Sequence, residues 1–482
     1  MPILNASRPW RYKLPVLTSR RAGILAFCMT CSLAPLAQAD PAQTSADASK
    51  GAPGAVPAQS AKPAGALTLA NKPAWLTDFS FGIKESYDNN VFYVSGRNAP
   101  ERDSWITTVS PKIGFNFAPL LGDQKILQVL ALGYAPDFVT YHEVSSEDYN
   151  AHRIATTLAG KTDAFTFYGE NGFNFIDGSK EAPIYAGNDS QRSAYATAAP
   201  RERRQQMQDR AKINLQYDVG SWFVRPTAYL LDYDLLTDLK TNAGYQNYAS
   251  RYDVNGGADL GYRVNPNVAV TLGYRYGHQY QEQFPTAIDK THTSSPSDYQ
   301  RVLAGVEGKP FNWLTVSVQG GPDFRTYPET SATHITPVDD HHPIKYYGEA
   351  AITAQLDAKD SLTFKYKQYQ WVSSTGKVPY FDSLYDLMYH RVLTKALSLD
   401  LEGRIQSSDY TSGTGTSADR DDWLYVGAAS LTYAFTPNLS VNLAYTAQLG
   451  RNQQDNLEAI KVDGRNRQFD DHLVSLGATF KF

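Results

Sequence analysis

From Trp75 onward the chain alternates apolar and polar residues with a period of two, and the alternation recurs for some four hundred residues. In "VAVTLGYRYGHQY", Val268, Val270, Leu272, Tyr274, Tyr276 and Tyr280 fall on one face, and Ala269, Thr271, Gly273, Arg275 and Gln279 on the other. In "LSVNLAYTAQL", Leu439, Val441, Leu443, Tyr445 and Leu449 alternate with Ser440, Asn442, Thr446 and Gln448. "LSLDLEGRI" and "LTFKYKQ" repeat the pattern at 397–405 and 362–368. A strict two-residue period is the mark of a strand with two unlike faces. The first three of these runs are nine to thirteen residues long. Globular strands average about 5–6 residues, whereas a tilted transmembrane strand needs about 9–11.

The connections sharpen the picture. Tight turns fall at "APLLGDQ" (118–124), "GKTDA", "DVGS" (218–221), "VNPN" (264–267), "GKPFNW", "DAKD" (357–360), "LTKA" (393–396) and "TPN" (436–438). Longer polar stretches such as 176–204, 325–344 and 451–467 lie between them. Short turns on one side and long loops on the other describe an outer-membrane barrel. The pattern predicts strands near 79–87, 105–117, 126–138, 149–158, 164–175, 206–217, 222–233, 249–262, 268–280, 299–307, 314–324, 346–356, 361–371, 383–392, 397–406, 422–434, 439–449 and 469–482. The fold expected is all-β, a transmembrane antiparallel up-and-down β-barrel of about 18 strands, within a range of 16–20. An even number puts both termini on one side, the periplasmic one.

The start of the chain assigns a compartment. Arg8, Arg11, Lys13, Arg20 and Arg21 precede the apolar stretch "AGILAFCMTCSLAPLA" and a small-x-small site, "AQA". That is a secretory signal peptide over 1–39, cleaved between Ala39 and Asp40. The apolar run is shorter than the roughly 20 residues a retained membrane anchor needs. Residues 40–73, rich in Ala, Pro, Ser and Gly, read as a flexible periplasmic leader, and 74–482 as the barrel. Cys28 and Cys31, the chain's two cysteines, leave with the signal, so no disulfide is available to the mature protein. The five basic residues leave with it too, taking the formal charge from −4 to about −9. A nucleic-acid partner, which wants a basic face, is excluded.

Two resemblances add to this reading. The closing strand "DDHLVSLGATFKF" ends on a free aromatic at alternating apolar spacing. It resembles the assembly signal of outer-membrane barrels, which implies that Phe482, with Phe480, Leu476 and Val474, is read by the barrel-assembly machinery. The opening hairpin, "FSFGIKESYDNNVFYVSG" followed by "DSWITTVSPKIGFNF", is similar to that of the beta-barrel porin 2 families. There a "Y-x-x-N-[VI]-[FY]" tip leads to a "T-V-S-P" strand. The matching residues are Tyr87, Asn90, Val91 and Phe92, then Thr108, Val109, Ser110 and Pro111. The resemblance covers some forty residues. It implies an outer-membrane channel, in some members associated with exopolysaccharide export, and it brings no catalytic residue.

No enzyme motif occurs: there is no G-x-S-x-G, H-E-x-x-H, Walker loop or C-x-x-C pair in the mature chain. "VDDHHP" (338–343) gathers Asp339, Asp340, His341 and His342, but adjacent residues point apart, and a solvated loop tip is the simpler reading. No cofactor or metal is expected. "RERRQQMQDR" (201–210) reads as a loop descending into a strand or as a contact for lipopolysaccharide phosphates.

Function is therefore expected on the polar face. Placing the apolar face toward lipid turns Lys84, Lys112, Arg210, Lys212, Arg225, Arg263, Arg275, Arg301, Arg325, Lys365, Lys367 and Arg404 toward the lumen. Glu170, Asp253, Asp259, Glu307, Asp323, Asp400 and Glu402 join them. A charge facing lipid costs about 2–4 kcal/mol at the midplane, so a dozen basic residues there would overwhelm the fold. Facing water they impose a field with a basic excess, and 16–18 strands enclose an aqueous channel. The reading is a porin-like channel for small polar or anionic solutes. One alternative is an outlet for a secreted exopolysaccharide, lined by charge and by aromatics such as Tyr168 and Tyr347. Another is a structural or adhesive barrel closed by its loops. Its partners on this reading are outer-membrane lipid and lipopolysaccharide, the assembly machinery and the solute; a homo-oligomer is among the arrangements allowed.

Overall fold

The computed structural model describes residues 73–93, 101–122, 126–178, 205–236, 250–282, 294–328, 342–372, 379–410, 420–454 and 468–482. The signal peptide with Ala39 and Asp40, nearly all of the leader, residues 201–204 and residues 338–341 lie outside the described residues. Eighteen strands follow one another: β1 (Leu76–Asp88), β2 (Ser104–Asn116), β3 (Leu127–Tyr141), β4 (Tyr149–Lys161), β5 (Phe165–Asp177), β6 (Gln206–Val219), β7 (Trp222–Leu235), β8 (Arg251–Asn265), β9 (Val268–Gln281), β10 (Ser297–Phe311), β11 (Leu314–Thr326), β12 (Ile344–Gln355), β13 (Asp360–Val372), β14 (Pro379–Val392), β15 (Leu397–Tyr410), β16 (Arg420–Ala434), β17 (Leu439–Gln454) and β18 (Phe469–Lys481).

Each strand pairs antiparallel with its sequence neighbours, and β1 pairs with both β2 and β18, so the sheet closes on itself with no edge. The sequence-predicted all-β, 18-strand antiparallel barrel is therefore what forms. Strands run from 12 to 16 residues. At about 3.3 Å per residue and a tilt of about 45° they rise roughly 28–37 Å, enough to cross a hydrocarbon core of about 30 Å. Among the described residues no helix is long and apolar enough to cross a membrane.

The burial pattern is turned inside out relative to a soluble protein. Large apolar side chains stand exposed on the outer wall, such as Leu272 (58%), Tyr276 (52%) and Leu443 (50%), while inner residues such as Asp323, Arg325 and Gln279 are each only 1% exposed. Water would penalise such an outer surface heavily, whereas a bilayer solvates it. Aromatic side chains gather near both rims of the outer wall. At the short-turn end Phe79 meets Phe482 at 4.7 Å between ring centroids, Trp222 meets Tyr262 at 4.8 Å, and Phe311 stacks on Trp313 at 5.6 Å. At the long-loop end Tyr87 meets Trp105 at 5.3 Å and Tyr252 stacks on Tyr280 at 5.0 Å. Two such girdles are what membrane–water interfaces select. Polar groups on the outer wall are paired: Thr107 donates to Glu85 at 2.7 Å, and Asn171 donates to Asp209.

Side chains close the connections. In the β12–β13 turn the Asp357 carboxylate accepts the backbone N–H groups of Lys359 (2.6 Å) and Asp360 (2.9 Å), which hold it below the usual carboxylate range. Beyond β3, the Ser104 hydroxyl at 2.7 Å and the Trp105 backbone N–H at 2.6 Å keep Glu143 low in the same way. Between β10 and β11 the register shifts after Gly308, whose φ of 133° L side chains rarely adopt. A Cβ there would sit 2.0 Å from the Asn267 carbonyl oxygen. Gly308→Ala is expected to destabilise the barrel by about 1–3 kcal/mol, the cost of a strained backbone position. A urea midpoint in detergent that does not move would show that the turn relaxes freely.

Candidate functional site in the barrel interior

Alternation fixes which residues face inward, and register fixes which of them meet. The charged residues assigned to the polar face from the sequence alternate along their strands with the exposed large apolar side chains. Toward the short-turn end, Lys112 pairs with Asp78 at 2.5 Å, Arg263 with Asp218 at 2.6 Å, and Asp400 with His390 at 2.7 Å. Glu170 accepts the Tyr168 hydroxyl at 2.5 Å, and Arg404 contacts Glu402 at 2.6 Å and Asp386 at 3.8 Å. Lys84, Arg210 and Lys365 also have partners.

The densest part is the stretch from β7 to β13, where arginines and carboxylates interlock. Arg225 donates Nε to Asp259 (3.1 Å) and both terminal nitrogens to Glu307 (2.9 and 2.8 Å), reaching from β7 to β10. Asp259 also takes Arg275, at 2.7 Å. Asp323 receives Arg301 and Arg325, each at 2.9 Å. Asp253 accepts the Tyr299 hydroxyl (2.6 Å) and Gln279 (2.7 Å). The Arg301 guanidinium is held between two rings, 4.0 Å from the Tyr299 centroid and 4.3 Å from that of Tyr347. Gly277 makes room for this: a Cβ there would meet Tyr299 Cζ at 2.2 Å. Fork-shaped, always-charged guanidinium groups suit such bidentate and stacked contacts better than ammonium does.

Two segments lean inward at the long-loop end. The last residues of β13 cross toward β8, β9 and β11. Arg251 donates to the Val372 carbonyl (2.5 Å), Gln279 to the Gln370 carbonyl (2.9 Å), and Arg325 to the same carbonyl at 3.3 Å. Trp371 lies under the Arg251 guanidinium at 5.2 Å. Gln370 donates to the Tyr327 hydroxyl, and burial pushes that phenol up to about 12, so it stays protonated at neutral pH. On the other side, Asn90, Val91 and Phe92, the tip residues of the β1–β2 hairpin, fold into the barrel. Val91 and Phe92 pack with Ile106, Val139, Tyr141, Tyr149 and Ile176 on the inner faces of β2–β5, and Asn90 donates to the Asp470 carbonyl at 2.9 Å. The mouth is narrowed from two sides.

Below the β13 hairpin lies a cavity of about 140 Å³, walled by side chains of β6–β13. Sequence reasoning missed several inner carboxylates, among them Asp78, Asp137, Asp218, Glu349, Asp382 and Asp386. They share the inward phase with the residues it did find, so strict parity counted along each strand is the signal that locates them. With them the inner wall is close to balanced, and the expected basic excess is largely neutralised in pairs. Of "VDDHHP", His342 is described, with its ring nitrogen 3.4 Å from the Thr326 hydroxyl. Of "RERRQQMQDR", Gln206–Arg210 open β6. The described residues hold no group of three or more His, Cys, Asp or Glu placed for a metal ion. At the closing seam the Phe482 N–H donates to the Phe79 carbonyl at 2.9 Å, and its ring meets that of Phe480.

No family model matches the chain and no curated protein matches it, so the likeness to beta-barrel porin 2 families stands on the hairpin residues alone. Solved structures with a similar course include Pseudomonas aeruginosa OccK2 (OpdF) in complex with glucuronate, at 10% identity and a TM-score of 0.41, covering 84% of this chain and 98% of that one. Pseudomonas aeruginosa OccK3 (OpdO) is similar at 12% identity and 0.41, covering 84% and 96%. The siderophore receptor PirA from Acinetobacter baumannii is similar at 9% and 0.38, covering 84% and 81%.

Proposed function

We propose that this chain is an outer-membrane channel that passes small polar solutes through a narrow bore of low net charge. The observation that carries the reading is the inverted barrel itself: a closed wall of 18 strands, apolar outside, with an inner face of ionised and amide side chains. A purely structural barrel could fill its interior with apolar side chains at no desolvation cost, whereas charged walls serve passing water, ions and polar solutes. An outlet for a polymer wants an unobstructed bore, and both in-folded segments would have to clear it.

The test is conductance of the protein reconstituted in planar bilayers. Ohmic openings of small size are expected. Most arginines of the inner wall sit against carboxylates, so ion preference is expected to be slight, and to fade as salt rises and the Debye length falls from about 8 Å to about 3 Å at 1 M. Exchanging Lys365 and Lys367 for Glu is expected to move the reversal potential toward cations, while Arg404→Glu also sets three carboxylates together and costs folded protein. A barrel that folds, migrates differently before and after boiling, and never conducts would overturn the channel reading.

A further inference from the structure

Inside the cavity the cations are not equivalent. Arg225 and Arg275 are held by Asp259, and Arg225 also by Glu307. The aromatic faces are taken as well: Tyr299 and Tyr347 by Arg301, Tyr369 by Lys367 at 4.8 Å, and Trp371 by Arg251. Two ammonium groups, Lys212 and Lys367, have no hydrogen-bonded or ion-paired carboxylate among the described residues. Both act on the Glu349 carboxylate through space, two positive charges on one negative. Glu349 is itself committed to the Tyr347 hydroxyl (2.7 Å) and to Gln319. Beside Lys212 in register stands Tyr229, which lines the cavity and whose buried hydroxyl has no hydrogen-bond partner. A buried donor left unmade costs about 1–3 kcal/mol.

We infer that Lys212, Lys367 and the Tyr229 hydroxyl form a seat for the carboxylate of a small hydroxylated organic acid. Two ammonium donors and a phenolic donor match the lone pairs of one carboxylate. Such a ligand completes the charge balance around Glu349 and satisfies the Tyr229 hydroxyl. The remaining lining, Asn214 and Asn255 among it, offers amide partners to ligand hydroxyls. The inference deepens the channel reading by naming a solute class, and it places the site under the β13 hairpin, where a solute crossing the bore is held.

The experiment compares gluconate with sorbitol, which share a hydroxylated six-carbon skeleton and differ in the carboxylate. Binding to the detergent-solubilised full-length barrel is measured by calorimetry, so the result does not depend on whether the protein conducts. Gluconate is expected to bind and sorbitol to give no heat of binding. The Lys212→Gln, Lys367→Gln double variant is expected to weaken gluconate by about tenfold or more, as the loss of two charge-assisted contacts requires. Lys212→Arg, Lys367→Arg is expected to keep most of it, and Lys395→Gln, at an exposed position in the short connection between β14 and β15, to leave it unchanged. Sorbitol binding as well as gluconate, no gluconate binding by the wild-type barrel, or undiminished gluconate binding by a folded glutamine variant, would each overturn the assignment. The sorbitol comparison needs no variant and decides the matter if the glutamine variant fails to fold.

Discussion

Replacing Asp323 with alanine is expected to cost the barrel about 3–5 kcal/mol, the range for removing one member of a buried ion network and leaving its partners charged. Asp323 is 1% exposed and takes both Arg301 and Arg325 at 2.9 Å. Without it Arg301 keeps its two tyrosine rings, and Arg325 keeps Gln279 at 2.6 Å, Ser297 at 3.2 Å and the Gln370 carbonyl. Neither keeps an ion-paired carboxylate among the described residues, and two guanidinium groups then share the Tyr299 ring, at 4.0 and 4.8 Å from its centroid, in a poorly solvated interior. Asp323→Asn preserves an acceptor oxygen and the volume, and is expected to lose markedly less. Lys112→Ala serves as the contrast, because its pair with Asp78 has side chains 24% and 31% exposed, where ion pairs contribute about 1 kcal/mol or less. Urea titrations in detergent micelles, following tertiary fluorescence, give the ordering. Equal losses for Asp323→Ala and Lys112→Ala would show that the interior is wet enough to screen both pairs alike.

The wall of this protein was legible in its sequence because lipid outside and polar groups inside impose a period of two on every strand. The runs at 268–280 and 439–449 keep that period almost without fault, and β9 (Val268–Gln281) and β17 (Leu439–Gln454) extend them only at the loop ends. Even β14 (Pro379–Val392), whose sequence carries aromatic residues on both faces, takes its place in the ring. What alternation cannot supply is register across strands. Asp323 and Arg325 lie two apart on β11 and share a face by inspection, but Arg301 joins them only because it stands opposite Asp323 on β10. Glu349 escaped notice because β12 presents Gly348, Ala350 and Ala354 outward, residues too small to mark the lipid phase. The inward lean of β13 was written in "QYQWV". There Tyr369 and Trp371 occupy the phase that Lys365 and Lys367 make polar, and large apolar residues on the inner phase mark packing across the bore. The same holds for Val91 and Phe92, which read as a hairpin tip and turn out to be interior packing.

The largest functional effect is expected from Arg251→Ala combined with Gln279→Ala, which should raise single-channel conductance several-fold. Arg251 fastens the end of β13 over the bore through the Val372 carbonyl and the ring of Trp371, 5.2 Å from its guanidinium carbon, while Tyr233 of β7, at 5.3 Å, holds the guanidinium in place. A hydrogen bond from a charged donor contributes about 1.5–3 kcal/mol, and each cation–π contact about 0.5–2 kcal/mol. Gln279 adds its bond to the Gln370 carbonyl. Together they amount to several kcal/mol, and about 5.5 kcal/mol carries a two-state equilibrium from 1:99 to 99:1. The wall should survive, since the backbone ladders joining β13 to β12 and β14 involve neither side chain. Arg325 still reaches the Gln370 carbonyl, at 3.3 Å, so Arg251→Ala alone is expected to give flickering between a narrow and a wider state before the double variant settles in the wider one. If both variants conduct as the wild type does while remaining folded, the β13 hairpin does not obstruct the path of ions, and the conducting route runs elsewhere in the barrel, against the inner faces of β14–β18 and β1–β5.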